Sequence, residues 1–166
     1  MNTDRASFGN PGKLGGGGII RDSEGRWMRG FARSIDFTTS ITAEFWALRD
    51  GLIQAIQIRV QNLVIELDAK VVVELVQSQS PSNAFYSSLL SDCRSLMGRF
   101  QHYKVQHAFR EVNRVANVLA KLGCEIQEHF VILENPPSDI ISTSVYSDAC
   151  GENFCRLTAS NLAILA

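Results

Sequence analysis

Apolar and polar positions alternate between two periods along this chain, and the switches between them outline its elements. Leu14 to Arg21 is an apolar, Gly-rich stretch, Asp22 to Gly25 is rich in turn formers, and Arg26 to Ile35 carries Trp27, Met28, Phe31 and Ile35. Two extended runs joined by a short polar turn predict an antiparallel hairpin. The period then changes. Ile41, Phe45, Leu48, Leu52, Ala55 and Ile56 recur at helical spacing behind the capping candidates Thr38, Thr39 and Ser40, which predicts a helix from about 41 to 56. Leu63 to Leu67 reads as a largely buried strand ended by Asp68. Ala69 to Gln77 and Ala84 to Phe100 read as helices, separated by a polar loop, and His102 to Phe109 reads as a strand. Glu111 to Leu122 forms a fourth amphipathic helix, with Gly123 placed as its C-terminal cap. Phe130 to Leu133 is a short apolar run before Asn135-Pro136-Pro137, and the remainder is expected to be a partly ordered tail. Three leading strands, the first very short and bearing Asp4, followed by alternating elements predict a mixed α/β sheet with helices on both faces.

Composition adds bounds. At 166 residues, 45% hydrophobic and 20% charged, the chain suits one globular domain with a tail. No apolar run reaches the ~18–20 residues of a membrane span, and no basic-then-apolar leader opens the sequence, so an intracellular protein without a membrane partner is expected, nucleus and cytoplasm left open. Cys93, Cys124, Cys150 and Cys155 form no C-x-x-C pair, which points to free thiols and leaves a Cys150–Cys155 bridge unsupported. Residues 1–122 hold 15 Lys/Arg against 11 Asp/Glu, whereas 123–166 hold 1 against 6. A mildly basic body with an acidic tail permits a polyanionic partner. Arg26, Arg29 and Arg33 are read as a solvated edge, and Trp27 and Trp46 as core.

The chemistry concentrates in four segments. Asp4 sits in the first strand, Glu44 in the first turn of a helix, Asp68 at a strand end and Asn117 in the last helix. Carboxylates from distant segments are what a two-metal phosphodiester site gathers, although each residue alone fits a cap or strand end equally well. Gly15 to Gly18 lacks the Lys-Ser/Thr of a phosphate loop, so these glycines are read as permitting a close approach to nucleic acid or to a neighbouring element.

In combination, Asn2-Thr3-Asp4, Gly9-Asn-Pro-Gly12, Gly18-Ile-Ile-Arg-Asp22, Thr42-Ala-Glu-Phe-Trp-Ala-Leu-Arg-Asp-Gly51, Glu66-Leu-Asp68, His107-Ala-Phe-Arg-Glu-Val-Asn113 and Ala120-Lys-Leu-Gly123 resemble the RNase H-like family. The likeness is to the type-1 domain of plant retroelement-derived reverse-transcriptase-like proteins. The resemblance implies a five-stranded mixed sheet of order 3-2-1-4-5 flanked by helices, with the domain at 1–123 and an acidic extension at 124–166. It implies endonucleolytic cleavage of the RNA of an RNA–DNA hybrid with magnesium or manganese, by a monomer. Asp4, Glu44, Asp68 and Asn117 are the implied catalytic and metal positions, with His107 assisting proton transfer or product release. In that family the fourth position is a carboxylate and position 5 a glycine. Asn117 therefore predicts weak metal occupancy and slow hydrolysis with hybrid binding kept. The alternatives are a catalytically inactive nucleic-acid-binding remnant of a retroelement and a small α/β interaction module.

Overall fold

The computed structural model describes residues 1–9, 12–36, 38–78 and 84–138. The chain runs β1 (Asn2–Gly9), β2 (Gly12–Arg21), β3 (Trp27–Ile35), α1 (Ser40–Gln57), β4 (Asn62–Leu67), α2 (Lys70–Gln77), α3 (Ser87–Met97), β5 (His102–His107), a 3-10 turn (Arg110–Val112), α4 (Arg114–Glu125) and β6 (Phe130–Leu133). The sheet order is β5-β4-β1-β2-β3-β6, with β1, β2, β3 and β6 antiparallel to their neighbours in turn and β1-β4-β5 parallel. This is the expected five-strand order with a sixth strand added beyond β3. The run at 130–133 is that strand, so chain beyond residue 123 joins the sheet.

Local chemistry explains most boundaries. Thr39 caps α1, its hydroxyl accepting from the Thr42 N–H at 3.2 Å. Asp22 closes the β2–β3 turn by accepting from the backbone of Glu24 and Arg26, and Gly25 takes the left-handed conformation at φ 78°. The main core lies between the sheet and α1, α2 and α3, around Phe45, Leu48, Leu52, Ile65, Leu90 and Met97. On the opposite face α4 seals β1–β3 through Val115 and Leu119 against Ile19. Among the described residues no helix is long and apolar enough to cross a membrane. Cys93 and Cys124 are buried, their thiols donating to the Phe45 and Ala120 carbonyls at 3.7 and 3.6 Å; Cys150, Cys155 and the tail from 139 lie outside the described residues, as does the core of the loop at 79–83.

Several expectations need correction. The first strand is eight residues long, because β1 pairs with β2 along its whole length, from Asn2↔Ile19 to Gly9↔Gly12. Gly123 is no cap. It lies inside α4, which ends at Glu125 with Ile126 as its cap, and a Cβ there would fall 2.3 Å from the Arg33 carbonyl oxygen. The glycines of β2 admit a neighbouring element, and that element is α4: a Cβ on Gly15 would sit 2.1 Å from the Ala120 carbonyl oxygen and one on Gly17 2.3 Å from the Ala120 nitrogen.

Arg29 and Arg33 are not a solvated edge either. α1 packs over them, and β6 extends the sheet past β3. Arg33 grips Asp50 through Nε and Nη2 and lies over the Trp46 and Phe130 rings at 4.9 and 5.3 Å. Arg29 bonds Gln54 and Glu134. Both tryptophans are half-buried, and the Trp27 indole N–H donates to the Leu133 carbonyl, tying β6 to β3. Asp50 is 3% exposed. Burial raises its carboxyl above the usual range against the opposing pull of Arg33. Asp50→Ala strands a guanidinium beside two rings and is expected to lower stability by about 2 kcal/mol, below the ~3–5 kcal/mol of a fully buried pair because Arg33 keeps some solvent. Urea denaturation with an unchanged slope checks this.

Candidate metal centre

The sequence-predicted acidic residues converge. One carboxylate oxygen from each of Asp4, Glu44 and Asp68 lies within 4.8 Å of the others. The topology explains why. β1 pairs with β4 only at Asn2↔Glu66 and Thr3↔Leu67, so the two strands part immediately afterwards, and Asp4 and Asp68 occupy the notch at their divergence. Strand carboxyl ends in such sheets are natural ligand sites. Glu44 enters from the first turns of α1, which crosses β1 and β2 on one face.

Register decides the direction of each β1 side chain. Asp4 and Ala6 pair with Gly17 and Gly15, the glycines beneath α4, and so point to the α4 face. There Asn117 Nδ2 donates to Asp4 Oδ2 at 2.8 Å. The amide orientation follows from chemistry, since an ionised carboxylate can only accept. Asn113, one turn earlier and buried, donates Nδ2 to the Thr3 carbonyl at 3.0 Å and pins the start of α4 beside Asp4. Arg5 pairs with Gly16, whose missing Cβ faces Ala47 of α1, so its side chain takes the opposite face. Its Nε lies 3.5 Å from Glu44 Oε1, while its backbone N–H donates to Asp4 Oδ1 at 2.7 Å.

Like charges and desolvation dominate the electrostatics. Burial first, and then the Asp68 charge, raise Asp4 to about 6, against the hydrogen bonds from Asn117 and the Arg5 backbone. Glu44 is pushed to about 9 by burial and then by Asp4 and Asp68, with Arg5 and Arg110 opposing. Asp68 Oδ1 is buried and has no hydrogen-bond partner among the described residues. Two buried carboxylates and a half-buried third form a hard-oxygen donor set suited to a magnesium-like or manganese ion.

A cavity of about 350 Å³ opens over the cluster, lined by Asp4, Arg5, Glu44, Asp68, Arg110, Asn117 and Lys121 together with Ala6, Ser7 and Ala69. Arg110, Lys121 and Ser7 were not singled out from sequence. Lys121 was findable, lying four residues after Asn117 and thus on the same helical face. Ser7 follows from strand alternation with Arg5. Arg110 sits in a turn, where no periodicity predicts direction. His107 stands on the flank of the cavity. It closes β5 opposite Leu67, its exposed ring placing Nε2 3.1 Å from the Asp68 carbonyl oxygen and its edge against Phe109. A carbonyl only accepts, so Nε2 carries the proton in that contact.

A family model described as reverse transcriptase-like matches residues 2–123. A candidate ribonuclease H protein of Arabidopsis thaliana is 30% identical over 151 residues, which is 91% of this chain and 24% of that protein. The chain thus spans about a quarter of that relative's length. RNase H1 of the halophilic archaeon Halobacterium salinarum has the same fold, with a TM-score of 0.69 at 23% identity over 75% of this chain and 95% of its own. An RNase H1 isolated from compost and solved in complex with an RNA/DNA hybrid gives 0.66 at 23% identity, over 75% and 94% of the two chains.

Proposed function

The chain belongs to the reverse transcriptase-like family of RNase H-like domains, and from that premise we propose that it binds RNA–DNA hybrids and cleaves their RNA strand slowly, with magnesium or manganese. The supporting observation is the approach of Asp4, Glu44 and Asp68 to within 4.8 Å from three separate segments, beneath an open cavity. A bound hybrid in one structural neighbour is consistent with that partner.

In this reading Asp4, Glu44 and Asp68 would hold the divalent ions, with Asn117 offering only an amide oxygen. Such ions, when bound, supply an activated water and charge stabilisation at the leaving oxygen. The chain's own residues do the rest. Arg110 and Lys121 at the cavity wall meet the phosphate backbone. His107, carrying its proton at Nε2 beside Asp68, would supply a proton at the edge of the centre. Asn117 keeps Asp4 oriented through its N–H but adds no negative charge, which slows the chemistry without removing phosphate contacts.

Purified protein mixed with a labelled hybrid tests this. Binding is expected with or without EDTA, and slow loss of the RNA strand only when magnesium or manganese is present. Failure to bind the hybrid in either buffer overturns the proposal. A second reading, a binding domain without hydrolysis, is favoured by one feature. The Asn117–Asp4 hydrogen bond and the Arg5–Glu44 contact together neutralise part of the cluster. Hybrid binding with no cleavage in manganese would select it.

A further inference from the structure

The three carboxylates of the centre differ in what already satisfies them. Asp4 accepts from Asn117 Nδ2 and from the Arg5 backbone N–H. Asp68 Oδ1 has no hydrogen-bond partner among the described residues. Glu44 is met by a full positive charge, the Arg5 guanidinium, inside the same cavity. The register between β1 and β2 sends Arg5 to the α1 face, so this placement is built into the sheet. The Arg5 side chain is also 34% exposed while Glu44 is 8% exposed, so the arginine can leave toward solvent whereas the glutamate cannot.

We propose that Arg5 is an exchangeable counter-cation of the carboxylate centre, occupying the Glu44 side and yielding it when a divalent ion enters. The proposal rests on the metal reading above and deepens it. A fixed positive charge beside a ligand carboxylate opposes an incoming cation twice, by repulsion and by competition for the Glu44 oxygen. It also helps the chain bury Asp4 and Glu44 beside Asp68 without metal, because the guanidinium opposes part of their mutual repulsion. Arg5 is thereby a positioning residue that sets how readily the centre loads.

Manganese titration by calorimetry, with thermal melting in EDTA and in manganese, separates the outcomes for the wild type, Arg5→Gln and Arg5→Lys. Arg5→Gln is expected to bind manganese about tenfold more tightly, a figure already reduced for the partial exposure of the guanidinium. It should melt below the wild type in EDTA and show a larger rise on adding manganese. Arg5→Lys, keeping the charge, should stay within about threefold of wild-type affinity. An Arg5→Gln chain that folds only when manganese is added supports the proposal equally. Equal manganese affinity in the wild type and Arg5→Gln overturns the role of Arg5 and leaves the metal centre standing. No manganese binding by either, in proteins that are folded by circular dichroism, overturns the centre and the proposal together.

Discussion

Replacing Asn117 with aspartate is expected to raise manganese-dependent cleavage of the hybrid's RNA strand by about a hundredfold, the scale of a single well-placed electrostatic group in an active site. The substitution is nearly isosteric and exchanges an amide donor for a unit of negative charge beside Asp4. In the absence of metal that change is unfavourable. The charge-assisted hydrogen bond from Nδ2 to Asp4 Oδ2 is lost, and a fourth carboxylate joins a site where burial and like charges already push Asp4 to about 6 and Glu44 to about 9. A loss of about 2 kcal/mol of metal-free stability should follow. With manganese the order reverses, because the ion binds the more acidic site more strongly and stabilises the folded chain. Single-turnover cleavage and paired melting curves with and without manganese read the two halves separately. Tighter manganese binding with no gain in cleavage would place the limit elsewhere in the cavity, Arg5 being the first residue to examine.

Gly17→Ala should cost about 3 kcal/mol or more, at the upper end of overpacking, and should cripple the site without touching a carboxylate. The added methyl would stand 2.3 Å from the Ala120 nitrogen and 2.4 Å from the Leu119 carbonyl carbon, both backbone atoms of α4 that cannot rotate away. The helix must lift. Asn117 and Asn113 ride on that helix, so their bonds to Asp4 and Thr3 lengthen with it. Gly16→Ala is the internal control. Its methyl would face Ile35 Cδ1 at 3.2 Å, the flexible end of a side chain, and Ala47 Cβ at 3.3 Å, a contact on the opposite face that needs a shift of only a few tenths of an ångström. The entropy gained by restricting the unfolded chain offsets part of that contact, for a net change within about 1 kcal/mol. Urea midpoints of the two variants decide the matter, and equal destabilisation would refute the asymmetry between the sheet's faces.

The four segments bearing Asp4, Glu44, Asp68 and Asn117 were legible in the chain because each sits in a short motif of recognisable spacing. The Thr39 cap, the turn at Asp22–Gly25 and the apolar face of α1 were legible because capping, turn geometry and amphipathicity act over a few residues. Arg29 and Arg33 were misread for the complementary reason. A strand pattern shows which residues share a face but not what lies over that face, and here α1 supplies Asp50 and Gln54 while β6 shields the far edge. β6 itself is four residues long, too short for any period to identify. Gly123 looked like a cap because glycine serves both ends of helices and close helix–strand crossings, and only the Arg33 carbonyl beside it distinguishes the two.

Sequence by itself determined most of the elements this chain makes, β6 excepted, the family pattern they follow, and which polar groups are available for chemistry, since those depend on local spacing and residue type. Tertiary structure alone decided that Asn117 spends its N–H on Asp4, that the Arg5 side chain turns away from Asp4 toward Glu44, and that Asp68 keeps an oxygen unpaired among the described residues. Those choices come from the pairing of Asp4 with Gly17 and Arg5 with Gly16, and from α4 resting on glycines far away in the chain. Register acts between segments separated in sequence, and a shift of one residue would exchange the faces of Asp4 and Arg5.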